Sequence, residues 1–201
     1  MVSVYDLKPK FQNLLRPLCI GLARAGITAN QVTSAAAALS IALGGAIAVT
    51  RGAPWTLFLL PPVLFARMAL NAIDGMLARE FNQKSRLGAV LNELGDVVSD
   101  TALYLPFALI SGVSPILVSL VVVIGVMTEM AGVVAVQIGV SRRYDGPFGK
   151  SDRAVFFGAL GFALALGLAP GLWADIVLGL AALAGSFTVV NRARAALKEK
   201  A

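Results

Sequence analysis

The feature that most constrains this chain is a succession of long apolar stretches with only short polar segments between them. Each is about the length an α-helix needs to cross a bilayer, roughly 20 residues. One follows Thr33 and runs to about Val49; the others cover 56–79, 87–110, 115–140, 154–168 and 173–190. Of the 201 residues, 58% are hydrophobic and 14% charged, whereas a soluble domain carries about 25% charged residues. The expected fold is therefore all-α: a polytopic membrane protein with six transmembrane helices in one domain, 1–201.

The first 25 residues are interrupted by Asp6, Lys8, Lys10, Arg16 and Arg24, which argues against a signal peptide. Val4, Leu7, Phe11, Leu14, Leu15, Leu18 and Leu22 recur at helical spacing, so 1–25 is expected to be an amphipathic interfacial helix, bent at Pro9 or Pro17. The six-helix bundle then occupies 28–190 and a tail 191–201. Thr28, Asn30, Gln31 and Thr33 supply capping groups before the first span.

Of the 17 Lys and Arg residues, those near 8–24, 79–86, 142–153 and 192–200 fall on one side of this arrangement, Arg51 alone on the other, and Arg67 inside the second span. The positive-inside rule places both termini and the longer loops in the cytoplasm. The net charge of +6 is thus explained by topology, and no nucleic-acid partner is expected. With no histidine, imidazole relays and histidine metal sites are excluded, and the single Cys19 cannot pair within the chain. Acid–base or metal chemistry falls to the carboxylates.

Polar residues inside spans are costly and mark function by default. The second span carries Arg67, Asn71, Asp74, Gly75, Ala78 and Arg79 on one helical face; the third carries Gly88, Asn92, Asp96, Ser99 and Asp100 at spacings of three and four. At 1.5 Å per residue from the intervening loop, Asp74 lies about 9 Å deep and Asp96 about 15 Å deep. Oxygen ligands without histidine suit hard cations, which also bind phosphate. A phosphate-bearing substrate reached from the cytoplasm follows.

The run Asn71-x2-Asp74-Gly75-x2-Ala78-Arg79-x8-Gly88-x3-Asn92-x3-Asp96 resembles the signature of the CDP-alcohol phosphatidyltransferases, D-x2-D-G-x2-A-R-x8-G-x3-D-x3-D. The spacing agrees at every step, while the first and third aspartates are asparagine here. Thr28-Ala-Asn30-Gln-Val-Thr33 and Gly149-Lys150-Ser-Asp-Arg153 extend the resemblance across the chain. It implies a phospholipid-synthesising transferase of a bacterial inner membrane, with its active site cytoplasmic. Such an enzyme moves a phosphatidyl group from CDP-diacylglycerol to a small alcohol and releases CMP.

The resemblance further implies Mg²⁺ or Mn²⁺ held at Asp74, Asn71, Asn92 and Asp96, and Asp96 as general base. Gly75, Ala78, Arg79 and Gly88 would cradle the CDP diphosphate, and the enzyme would be a homodimer. Asparagine offers one uncharged oxygen, so one strong metal site is expected, with a second filled only beside substrate diphosphate. Lys150 and Arg153 are candidates for binding an acceptor phosphate, or for enforcing topology. Arg67 and Asp100 could form a buried ion pair. Asp100 could also compensate for a lost ligand, and Glu129 could pair with Arg67 or line the acceptor pocket. Because of Asn71 and Asn92, the alternative is a non-catalytic CDP-lipid-binding or scaffold member with a degenerate metal site.

Overall fold

In a computed structural model, residues 4–199 are described, with side chains from residue 9 onward. The outer ends of the 1–25 and 191–201 segments, with Lys200, lie outside the described residues, as do the side chains of Val4, Leu7 and Lys8. All regular structure among the described residues is helical. The helices are α1 (Val4–Arg24), α2 (Ala29–Thr50), α3 (Pro54–Phe58), α4 (Leu60–Glu80), α5 (Arg86–Tyr104), α6 (Pro115–Gln137), α7 (Lys150–Ala165) and α8 (Leu172–Lys198), with a 3₁₀ segment Leu105–Leu109 after α5. They fall into two compact units, Met1–Ala42 with Pro62–Ser99, and Leu43–Pro61 with Asp100–Ala201.

In the first unit, α1 turns Phe11, Leu15, Cys19 and Leu22 inward, at the i, i+4 spacing of one helical face. Cys19 is fully buried among Ala29, Val32, Ile73, Met76 and Leu77, with Leu15, Leu22 and Leu70 around them. Leu14 and Leu18 of the expected apolar stripe point outward, 75% and 53% exposed. Burial pushes the Cys19 thiol above its ordinary pKa, with Glu80 adding to the effect and Arg16 opposing it. The cap of α2 is reciprocal: the Thr28 amide donates to Gln31 Oε1 (2.9 Å) and the Gln31 amide to Thr28 Oγ1 (3.3 Å).

The second unit packs α6 on α8 and α3 on α7. Tyr104 stacks on Phe157 with centroids 4.2 Å apart, and Phe107 meets the same ring edge-on. Small residues bring backbones together: a Cβ on Gly44 would lie 2.0 Å from the Ala102 carbonyl oxygen.

Four stretches are long and apolar enough to cross a membrane: Ala29–Thr50, Pro54–Glu80, Pro115–Gln137 and Leu172–Lys198. The expected six reduce to four by that measure for two reasons. Helix α5 carries Glu93, Asp96 and Asp100, and α7, at 16 residues, is short of a full crossing. Three boundaries also move. The third apolar stretch breaks into a 3₁₀ segment at Leu105, with Pro106 in its first turn. Helix α7 starts at Lys150 because Asp152 Oδ2 accepts from the Gly149 amide at 2.8 Å, so Arg153, expected in a loop, is helical and buried. Helix α8 runs on to Lys198 through most of the expected tail.

Candidate active site

The first unit holds a cavity of about 670 Å³. The last turns of α4 give it Asp74, Gly75, Ala78 and Arg79; the first turns of α5 give Gly88, Asn92 and Glu93. Its remaining wall comes from Ala29, Asn30 and Thr33 at the start of α2 and from Gln83, Lys84 and Ser85 in the α4–α5 loop. Residues 74, 75, 78 and 79 share a wall because α-helical geometry stacks positions three and four apart. Six motif residues thus line one cavity, whereas Asn71 and Asp96, at the two ends of the motif, are not among its lining.

Hydrogen bonds from residues outside the motif shape it. The buried Thr33 hydroxyl shares its one proton between Asp74 Oδ2 at 2.8 Å and the Ala29 carbonyl at 3.0 Å. The Ala29 amide donates to Gln83 Oε1 at 2.7 Å, tying the loop to the start of α2. Asn30 Nδ2 donates to Ser85 Oγ at 3.4 Å. In the sequence, Thr28 to Thr33 reads uniformly as capping; the structure divides it, with Thr28 and Gln31 closing the cap and Thr33 reaching Asp74. The signal that separates them is spacing: Thr33 lies one turn inside α2 from Ala29, where the main chain needs no cap.

Gly75 and Gly88 both keep room beside the cavity, to different degrees. A Cβ at Gly75 would come 3.2 Å from the flexible tip of Arg79, whereas one at Gly88 would come 2.7 Å from Asn30 Oδ1 and 3.0 Å from Ser85 Oγ.

Asp96 sits two turns further along α5 than Gly88. Its Oδ1 accepts from Asn71 Nδ2 at 3.1 Å, and Arg67 Nη2 reaches the same oxygen at 3.5 Å and the Asp96 carbonyl at 3.1 Å. The Arg67 side chain is 4% exposed and the Asp96 side chain 17%. The sequence reading gave Asn71 a carbonyl oxygen for metal; the structure turns its amino group toward Asp96.

Asp74 and Asn92 give the cavity a small set of oxygen ligands, Asn71 and Asp96 lie outside its lining, and among the described residues no three His, Cys, Asp or Glu side chains gather as a metal cluster. Such a set fits one hard cation whose shell is completed by phosphate oxygens, rather than a cation caged by protein alone.

The remaining candidates meet in the second unit. Arg153, 2% exposed, donates through Nη2 to Asp100 Oδ2 and to Glu129 Oε1, both at 2.9 Å, and through Nη1 to Thr128 Oγ1 at 2.8 Å. Arg142 donates to Glu129 Oε2 at 3.1 Å, and Arg192 lies 3.6 Å from Glu129 Oε1 while donating to the Thr128 carbonyl. Asp100 and Glu129 thus share one cluster with three guanidinium groups. Lys150 is half-buried at the start of the same helix as Arg153.

A profile of the CDP-alcohol phosphatidyltransferase family matches residues 26–190. The chain belongs to that family. Six residues of its motif line the cavity, and its apolar helices make it a membrane protein. The chain is 47% identical over 196 residues to inner membrane protein YnbA of Escherichia coli K12, covering 98% of this chain and 97% of that one. Its fold is similar to that of Mycobacterium tuberculosis phosphatidylinositol phosphate synthase PgsA1. The PgsA1 structure with CDP-DAG bound has a TM-score of 0.75 and 22% identity, covering 90% of this chain and 92% of that one. The structure in complex with manganese and citrate gives 0.75 and 23%, covering 90% and 88%. At that identity the likeness speaks for the fold of this family member.

Proposed function

We propose that this family member transfers a phosphatidyl group from CDP-diacylglycerol to a small alcohol and releases CMP, in a bacterial inner membrane. The observation that carries the reading is the single cavity lined by Asp74, Gly75, Ala78, Arg79, Gly88 and Asn92. The hydroxyl oxygen of the acceptor forms the new bond to the phosphatidyl phosphorus. The bond from that phosphorus to the bridging oxygen breaks, and CMP leaves with that oxygen. Asp96 takes the hydroxyl proton, its carboxylate oriented through Oδ1. Arg79 holds diphosphate oxygens at the cavity wall, and Thr33 fixes the rotation of Asp74. A single Mg²⁺ or Mn²⁺, held by Asp74, Asp96 and the Asn92 amide oxygen, would supply charge neutralisation on the diphosphate.

The PgsA1 complex with CDP-DAG supports a CDP-lipid substrate. An anionic acceptor is supported by the gathering of Arg142, Arg153 and Arg192 and by Lys150 at the start of α7. Six crossings with cytoplasmic termini, α1 on the membrane interface and a homodimer complete the reading.

A second reading, a CDP-lipid-binding member without turnover, is favoured by Asn71 and Asn92 standing where the signature has aspartate. One experiment separates the two: CMP release from CDP-diacylglycerol by the purified protein with Mg²⁺ or Mn²⁺ across a panel of alcohols and alcohol phosphates. Release that needs one acceptor and is lost in Asp74→Ala supports transfer. Binding of CDP-diacylglycerol with no release in any acceptor supports the second reading.

A further inference from the structure

We infer that Asn71 and Arg67 are positioning residues for Asp96, with the Asn71 side chain serving as a hydrogen-bond donor and not as a metal ligand. The inference rests on the reading of Asp96 as the base. At 3.1 Å from a carboxylate oxygen, an amide presents its amino group, because its carbonyl oxygen would oppose one lone pair with another. Arg67 lies one helical turn before Asn71 on α4, so both reach the same target. Its Nη2 contacts the Asp96 main-chain carbonyl and Oδ1, which ties the side chain to its own backbone from outside α5.

The chemistry explains why asparagine can stand at 71. An aspartate there would set two carboxylates about 3 Å apart in a poorly hydrated site, an arrangement that needs a proton or cation between them. Asparagine needs neither, and the Arg67 guanidinium supplies a fixed positive charge to the same oxygen. The exchange of aspartate for asparagine therefore gains a donor where it loses a ligand. Partners of this kind, which orient a working carboxylate, are worth about 10–100-fold in activity when removed.

The test uses the full chain in lipid nanodiscs containing CDP-diacylglycerol, with Mn²⁺ binding followed by the electron paramagnetic resonance signal of the free ion. Asn71→Ala is expected to change Mn²⁺ affinity no more than Arg67→Met does, while lowering kcat about tenfold or more and leaving the CDP-diacylglycerol KM near its starting value. Asn71→Asp is expected to tighten Mn²⁺ binding about tenfold or to add a second ion. Arg67→Lys is expected to keep more of kcat than Arg67→Met, a rescue that packing alone would not give.

A loss of Mn²⁺ affinity in Asn71→Ala tenfold beyond that in Arg67→Met would make Asn71 a ligand and overturn the inference. So would an Asn71→Asp protein that binds Mn²⁺ no better than the parent. A parent that never releases CMP, with Mn²⁺ binding gained in Asn71→Asp, would uphold the donor role and overturn the transferase reading instead. Binding measured on monodisperse fractions keeps the two variants interpretable without activity.

Discussion

Gly88 is the residue at which the cavity has least to give. The atoms that a new methyl group would strike, Asn30 Oδ1 and Ser85 Oγ, are themselves linked, so moving one displaces the loop. Gly75→Ala would meet only the tip of Arg79, which can swing away. Gly88→Ala is therefore expected to raise the KM for CDP-diacylglycerol about tenfold and more than Gly75→Ala, measured in initial-rate assays. Equal effects would contradict this ranking. Arg153 makes a different demand, because its loss removes a buried guanidinium that Asp100 and Glu129 share. Arg153→Met is expected to cost about 3–5 kcal/mol, read as a lower thermal midpoint in detergent, with Lys150→Ala close to the parent. The chemistry of Asp74 and Asp96 is legible in the sequence because burial of a carboxylate in an apolar helix demands a function. The partners of Glu129 are not: Arg142, Arg153 and Arg192 come from three separate stretches of the sequence, and only packing brings them to one carboxylate.

Between elements, the closest approach is that of α2 and α5 in the second unit, where Gly44 faces the Ala102 carbonyl. The clash in Gly44→Ala is with main chain, which cannot rotate away. Its cost is expected to reach about 3 kcal/mol, and thermal unfolding checks it. The α6–α7 loop is anchored to the end of α8: Glu199 accepts from the Ser141 amide at 3.0 Å and its hydroxyl at 2.9 Å, and Arg143 pairs with both Glu199 and Asp145. The Ser141 hydrogen bonds, helped by Arg143, hold Glu199 below its ordinary 4.5, and the Arg143 hydrogen bond holds Asp145 below 3.8. Both carboxyl groups contribute stability above their unfolded values and lose it as the pH falls through their lower folded values. Hydrogen exchange in 138–149 is therefore expected to accelerate below about pH 4, and unchanged protection down to pH 2 would contradict the latch. Helix interiors are legible from apolar runs, whereas their ends are not. The Asp152 cap starts α7 four residues before its apolar run, and α8 continues through charged residues after its own run ends.

At the scale of the whole molecule, hydropathy identifies a membrane protein but counts its crossings less firmly. Helix α5 carries three carboxylates and α7 is short, so length and apolarity recover four. The bias of Lys and Arg among the polar segments is the basis of the six-crossing proposal. With Cys19→Ser as background, a cysteine introduced as Lys84→Cys is expected to react with impermeant maleimide only in inside-out vesicles, and Arg51→Cys only in right-side-out ones. The family relation and the cavity are the grounds for proposing phosphatidyl transfer, and its most direct measurement is the paired appearance of both products. Incubation with CDP-diacylglycerol and the acceptor that supports turnover, followed by mass spectrometry of lipid and nucleotide, is expected to give CMP and a new phospholipid one for one, with Asp96→Asn slower by about 100-fold or more. CMP formed without a matching phospholipid, or an Asp96→Asn protein as fast as its parent, would contradict the account.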